Sequence, residues 1–215
     1  MREGREPRSF RRHGNRGAGM PGFVRNAVGL VAALALLLAA CSESSEWRTR
    51  PLGADFPELS FELTTDRSDA FTEADLRGNL TLLVFGYTSC PDACPATMAR
   101  LRAVLDELPD EQRAHVRVLF VSVDPDRDTP RHLAAYASHY GPEFIGATAD
   151  RVRITELVQR YGSSFRHETG PRGDDIITHG SHVFAFDGDG RARLLIQFSD
   201  SVEAILHDLR NLLAS

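Results

Sequence analysis

Two kinds of apolar pattern alternate along the chain after Gly78. Leu80 to Tyr87 (LTLLVFGY) and Val116 to Val123 (VRVLFVSV) are nearly continuous apolar runs, the pattern of strands buried on both faces. Between them Met98, Leu101, Leu105 and Leu108 recur three or four apart, which predicts a helix over residues 95–108 ended by Pro109. Thr129 and Pro130 open a second helical stretch that runs to Tyr140 and stops at Gly141. FIGAT (144–148) predicts a short strand, and Asp150 caps a helix that stops at Gly162. HVFAFD and ARLLIQF then flank GDG, a hairpin with a glycine-bearing turn. Asp200 to Glu203 has a capping-box pattern, leading into a C-terminal helix with Val202, Ile205, Leu206, Leu209 and Leu213 on its apolar side. Strands alternating with helices before a hairpin predict an α/β sandwich of three layers, its central mixed sheet parallel in the core and antiparallel at one edge. FELTT (61–65) and AFTEADLRG (70–78) offer only a short extended piece and a turn, and RHETGPRGDD (166–175) reads as a loop.

The N-terminal part has a different character. A basic region closed by Arg25, an apolar segment from Ala27 to Ala40 and small residues ahead of Cys41 are the parts of an export signal. The 14 apolar residues fall short of the roughly 20 a membrane-spanning helix needs. LAAC (38–41) resembles the lipobox of bacterial lipoproteins, which implies that Cys41 is acylated and becomes the mature N-terminus. The stretch before Met20 is long and rich in Arg and Gly, so Met20 is a candidate true start. The expected organisation is a signal over 1–40, a polar tether over 41–57 and one domain over 58–215, in the cell envelope facing the periplasm or another extracytoplasmic space.

Charge narrows the function. Removal of residues 1–40 takes away seven Arg and two Glu, leaving 18 basic and 28 acidic residues, a formal charge of −10. Nucleic acid is thereby excluded as a partner class. The chain contains no lysine, which excludes a P-loop and a Schiff-base lysine.

With Cys41 assigned to lipid, Cys90 and Cys94 are the remaining thiols, too few for a disulfide-stapled scaffold. They lie in FGYTSCPDACPATM (85–98), where a buried strand passes into a helix. Such crossings carry ligands or active residues, and a helix N-terminus lowers a thiol's pKa. If both positions are helical, residues four apart share one face; the two sulfurs then either grip a soft metal or close into a disulfide.

FGYTSCPDACPATMARL, VLFVSVDPDRDTP and EFIGATAD, followed by a histidine ahead of VFAFDGDGR, resemble the Sco/SenC family of membrane-tethered copper proteins, in order and spacing, over residues 55–213. The resemblance implies a thioredoxin-like fold and copper, as Cu(I) or Cu(II), held by Cys90, Cys94 and His179. It also implies a role in delivering copper to, or preparing the cysteines of, the copper-bearing subunit of cytochrome c oxidase, with other copper chaperones or thiol reductants as further partners. The activity implied is metal or thiol transfer, not turnover of a small substrate. In the family an aspartate usually precedes the histidine, whereas here Thr178 does; Asp124, Asp174 and Asp175 are candidates for the missing carboxylate. The main rival is a thiol-disulfide oxidoreductase of the thioredoxin-like class, which typically carries CxxC and a cis-proline where this chain has Ser181. A zinc site drawing on Cys90, Cys94, His179 and His182 is a second rival. His115, His132, His139 and His207 read as solvated, His167 as part of a loop near the site, and Met98 as core.

Overall fold

The computed structural model describes residues 46–67, 70–169, 175–179 and 182–214. The signal, Cys41 and Asp174 lie outside the described residues.

Ten strands occur in the described residues: β1 (Arg50–Pro51), β2 (Glu62–Leu63), β3 (Phe71–Thr72), β4 (Leu80–Gly86), β5 (Val116–Ser122), β6 (Phe144–Ala147), β7 (Phe165–Thr169), β8 (Asp175–His179), β9 (Val183–Phe186) and β10 (Ala192–Ile196). The helices are α1 (Ala93–Asp106), α2 (Asp110–Arg113), α3 (Pro130–Ser138), α4 (Arg151–Arg160) and α5 (Val202–Leu213), with a 3₁₀ turn at Glu73–Leu76. The main sheet has six strands in the order β1-β10-β9-β4-β5-β6. β4, β5 and β6 are parallel, whereas β9, β10 and β1 join antiparallel to their neighbours.

The continuous apolar runs of β4 and β5 serve two cores because side chains alternate between faces. Leu82, Val84, Val118 and Phe120 pack with Met98, Leu101 and Leu105 of α1, Leu133 of α3 and Ile205 and Leu209 of α5. Leu83, Phe85, Leu119 and Val121 pack on the other face with Ile154 and Val158 of α4, Tyr161 and Phe184. Helices on both faces of a mixed sheet are the three-layer sandwich that the pattern predicts.

Four local expectations shift. α1 begins at Ala93. The C-terminal helix is capped by Ser201, whose hydroxyl accepts the Ala204 amide at 3.2 Å, while Asp200 accepts the Gln197 amide instead. Residues 166–169 and 175 lie in strands where a loop was expected: β7 and β8 pair antiparallel over five positions as a two-stranded sheet of their own. Finally, residues 46–57, expected in the tether, belong to the compact unit that begins at Glu46. β1 pairs with β10, and Leu52 and Phe56 pack against the core.

Candidate metal centre

β4 and β5 end side by side, with Gly86 in register with Ser122, and the site is built beyond these two ends. After buried Tyr87 the chain turns, the Cys90 amide donating to the Tyr87 carbonyl at 3.2 Å. Cys90 therefore lies in the loop, and Cys94 is the second residue of α1. The two do not share a helical face. Instead the Cys94 amide donates to Cys90 Sγ at 3.4 Å, while Asp92, the N-cap by position, makes no side-chain cap bond. The sulfur takes up one of the amides a helix start leaves without an intrahelical partner.

The two thiols, neither in a disulfide, differ in environment. Cys90 is half-buried and packs against both cores. Cys94 is 1% exposed, its sulfur seated on Gly86. A Cβ at residue 86 would stand 2.8 Å from Cys94 Sγ and 2.6 Å from Phe120 Cε2, so the seat exists because residue 86 has no side chain. Burial pushes the Cys94 thiol well above its usual pKa; the Tyr87 backbone hydrogen bond opposes this, and Cys90 and Asp128 add to the rise. The expected lowering at a helix N-terminus is overcome at Cys94 by burial.

DPDRDTP (124–130), which reads in sequence as a loop and helix cap, contributes more than that. Thr129 does cap α3. Asp128, also 1% exposed, accepts the Thr88 amide at 2.9 Å, the Thr88 hydroxyl at 2.5 Å and the Ser122 hydroxyl at 2.6 Å. Thr88 lies two residues before Cys90, so a buried carboxylate from the β5–α3 loop grips the cysteine loop. The signal available in sequence was an acidic residue between two apolar elements, which spacing alone does not distinguish from a solvated turn. Asp124 forms an ion pair with Arg127.

His179 ends β8 opposite Phe165, in a strand where a loop was expected. Its side chain lies outside the described set. Phe165 packs against the same core cluster as Cys90, so the base of the hairpin and the cysteine loop border one cluster. His182 is exposed and precedes β9, outside any strand. Asp175 pairs with Thr169 at the other end of the hairpin ladder from His179. Among the described residues no three His, Cys, Asp or Glu side chains gather as a metal site. Met98 is fully buried in the core. His115, His132 and His139 are exposed, and half-buried His207 pairs with Asp208 at 2.9 Å.

The SCO1/SenC family model matches residues 51–214. The chain belongs to this family. An SCO2-like protein of Rickettsia conorii is 29% identical over 153 residues, covering 70% of this chain and 74% of that one. The copper-bound ScoI of Bradyrhizobium japonicum is 30% identical with a TM-score of 0.65, over 72% of this chain and 98% of that one. The copper-bound ScoI of Arabidopsis thaliana is 25% identical with a TM-score of 0.68, over 73% and 98%. The fold of this SCO1/SenC chain is accordingly thioredoxin-like.

Proposed function

We propose that this chain is a membrane-anchored, extracytoplasmic copper chaperone that delivers copper to, or prepares the cysteines of, the copper centre of cytochrome c oxidase. The observation that carries the reading is the pair of reduced thiols at the β4–α1 crossing, one buried and one half-buried, in a family whose solved members include copper-bound forms. Members of the Sco family are described as cytochrome c oxidase assembly proteins. Copper is cargo here. Two thiolates suit Cu(I), and the imidazole of His179 extends the set to Cu(II). The shared cluster of Phe165 and Cys90 supports His179 as third ligand. Among the described residues no helix is long and apolar enough to cross a membrane, and a family member from Bacillus anthracis is a lipoprotein. With the basic region, the apolar segment and LAAC at residues 38–41, the family lipoprotein supports residues 1–40 as a signal and Cys41 as the lipid anchor, with the copper domain after it.

The full-length protein should take up about one copper per chain when reduced, and Cys90→Ser and Cys94→Ser should each abolish tight binding. His179→Ala should lose Cu(II) and its thiolate-to-copper absorption while keeping a weakened Cu(I) site. His182→Ala should match wild type, since that residue is exposed and outside the sheet. A single cysteine variant with wild-type affinity and spectrum overturns the shared site. The half-buried Cys90 beside a buried Cys94 also suits thiol-disulfide exchange; copper-free reduction of insulin at the rate of a dedicated reductase would favour that second reading. Mass spectrometry of the mature N-terminus tests the lipid at Cys41.

A further inference from the structure

We infer that Asp128 is a positioning residue for the cysteine pair: its buried carboxylate ties the loop presenting Cys90 to the end of β5 and so sets how the two sulfurs meet a metal ion. This deepens the copper reading and rests on it for its metal-binding consequence.

Both carboxylate oxygens are engaged. Oδ1 takes the Thr88 hydroxyl; Oδ2 takes the Thr88 amide and the Ser122 hydroxyl. Ser122 is the register partner of Gly86, the residue on which Cys94 Sγ is seated. One side chain thus connects the loop two residues before Cys90 with the strand end beside the seat of Cys94. Asp128 is itself anchored: its amide donates to the Asp124 carbonyl at 2.9 Å, and the Asp124 amide donates to Ser122 Oγ at 3.0 Å. The two strand ends are also stitched directly by the Val123 amide donating to the Gly86 carbonyl at 2.8 Å.

The charge of Asp128 matters as well as its shape. Its ion-pair partner is His132, 3.9 Å away and 56% exposed by side chain, so the pairing is loose and depends on imidazole protonation. Burying a carboxylate is unfavourable unless it is hydrogen-bonded, and a neutral acceptor would pin Thr88 with less desolvation. The carboxylate additionally places negative charge within electrostatic range of Cys94, a field that favours a cation held between the sulfurs.

The test compares Asp128→Asn, Thr88→Val and Thr88→Ser in the full-length protein. Asparagine keeps the shape but turns an NH₂ toward donors; valine removes the hydroxyl that serine retains. Copper affinity by competition and the Cu(II) charge-transfer band are measured with the ion alone. A metal-free arm measures closure of the Cys90–Cys94 disulfide in glutathione buffer, where the two thiols pass two electrons and two protons to oxidised glutathione, releasing two reduced glutathiones. Asp128→Asn and Thr88→Val should each weaken copper binding roughly tenfold or more, the range seen when a residue orienting metal ligands is lost, and shift the band and the closure constant. Thr88→Ser should stay near wild type, and the double variant should be no worse than Asp128→Asn. Affinity, band and closure all within about twofold of wild type, with only the melting temperature lowered, would reduce Asp128 to a fold residue and overturn the inference. Where Asp128→Asn does not fold, the Thr88 pair decides by the same criteria. If wild type takes up no copper, the copper reading fails and the metal-free arm alone decides for Asp128.

Discussion

The cysteine loop and the strap that leads into β1, residues 46–49, are held by the same device with different results. In the strap, Asp208 of α5, fully buried, accepts the Arg48 amide at 3.0 Å and both the amide and hydroxyl of Thr49 at 2.8 Å. In the cysteine loop, Asp128 takes the amide and hydroxyl of Thr88. Each is a carboxylate gripping one threonine of a segment distant in sequence. Asp208 has His207 at 2.9 Å, and beyond its threonine lies the short edge strand β1, paired with β10. Asp128 has the exposed imidazole of His132 at 3.9 Å, and beyond its threonine lies Cys90. The same grip holds an edge strand in one region and, on the proposed reading, sets ligand geometry in the other, according to whether an edge strand or a thiol comes after the threonine.

Variants that separate stability from copper binding put the contrast at greatest risk. Asp208→Ala leaves two amides and a hydroxyl without their acceptor and should cost about 3 kcal/mol by urea denaturation, with copper affinity per folded molecule unchanged. A loss of copper affinity there would make the strap part of the site. Gly86→Ala should cost about 2 kcal/mol, because the new methyl meets Phe120 and Cys94 Sγ in a packed core; unlike Asp208→Ala, it should also degrade copper binding. Thr49→Val and Thr88→Val should each cost about 1 kcal/mol, so calorimetry should barely distinguish them, while copper titration should show a change only for Thr88→Val.

The smallest effects appear at extremes of pH and have opposite signs in the two regions. Burial raises the Asp208 pKa, but the hydrogen bonds from His207, the Arg48 and Thr49 amides and the Thr49 hydroxyl bring it below the usual value overall. The stability it contributes is present above the unfolded carboxylate pKa of about 3.9 and is lost as pH falls through the lower folded value. Asp208→Asn should remove that part of the acid limb. The Cys94 thiol is shifted upward from its ordinary 9.0, so its contribution is complete below that value and declines as pH rises above it toward the folded value. Cys94→Ser should flatten the alkaline limb of the metal-free protein. Denaturation midpoints across the pH range check both.

The parts legible in sequence were those where local pattern and tertiary demand agree. β4 and β5 announce themselves because a strand covered on both faces needs apolar residues at nearly every position. α3 and α4 carry their caps in the chain, Thr129 and Asp150 each accepting amides one turn ahead. The cysteine pair was visible from its place at the strand-to-helix crossing. The β7–β8 hairpin was not, because its strands, FRHET and DIITH, carry neither clear alternation nor a short turn. β1 was hidden for a related reason: two residues, Arg50 and Pro51, have no periodicity, and their place depends on an edge of β10 supplied from the far end of the chain.

Residue types within a few positions of one another were enough to set the order of the central strands and their helices, the two-faced sheet and the thiols at its C-terminal edge. How those thiols are held emerged only once the chain was folded. Cys94 lies under Gly86 and Phe120, Cys90 caps the helix through its sulfur, and Asp128 reaches back 40 residues to Thr88. The physical reason is that burial and hydrogen bonding between distant segments set the environment of a thiol or a carboxylate, and no local pattern encodes which distant segment will supply the partner.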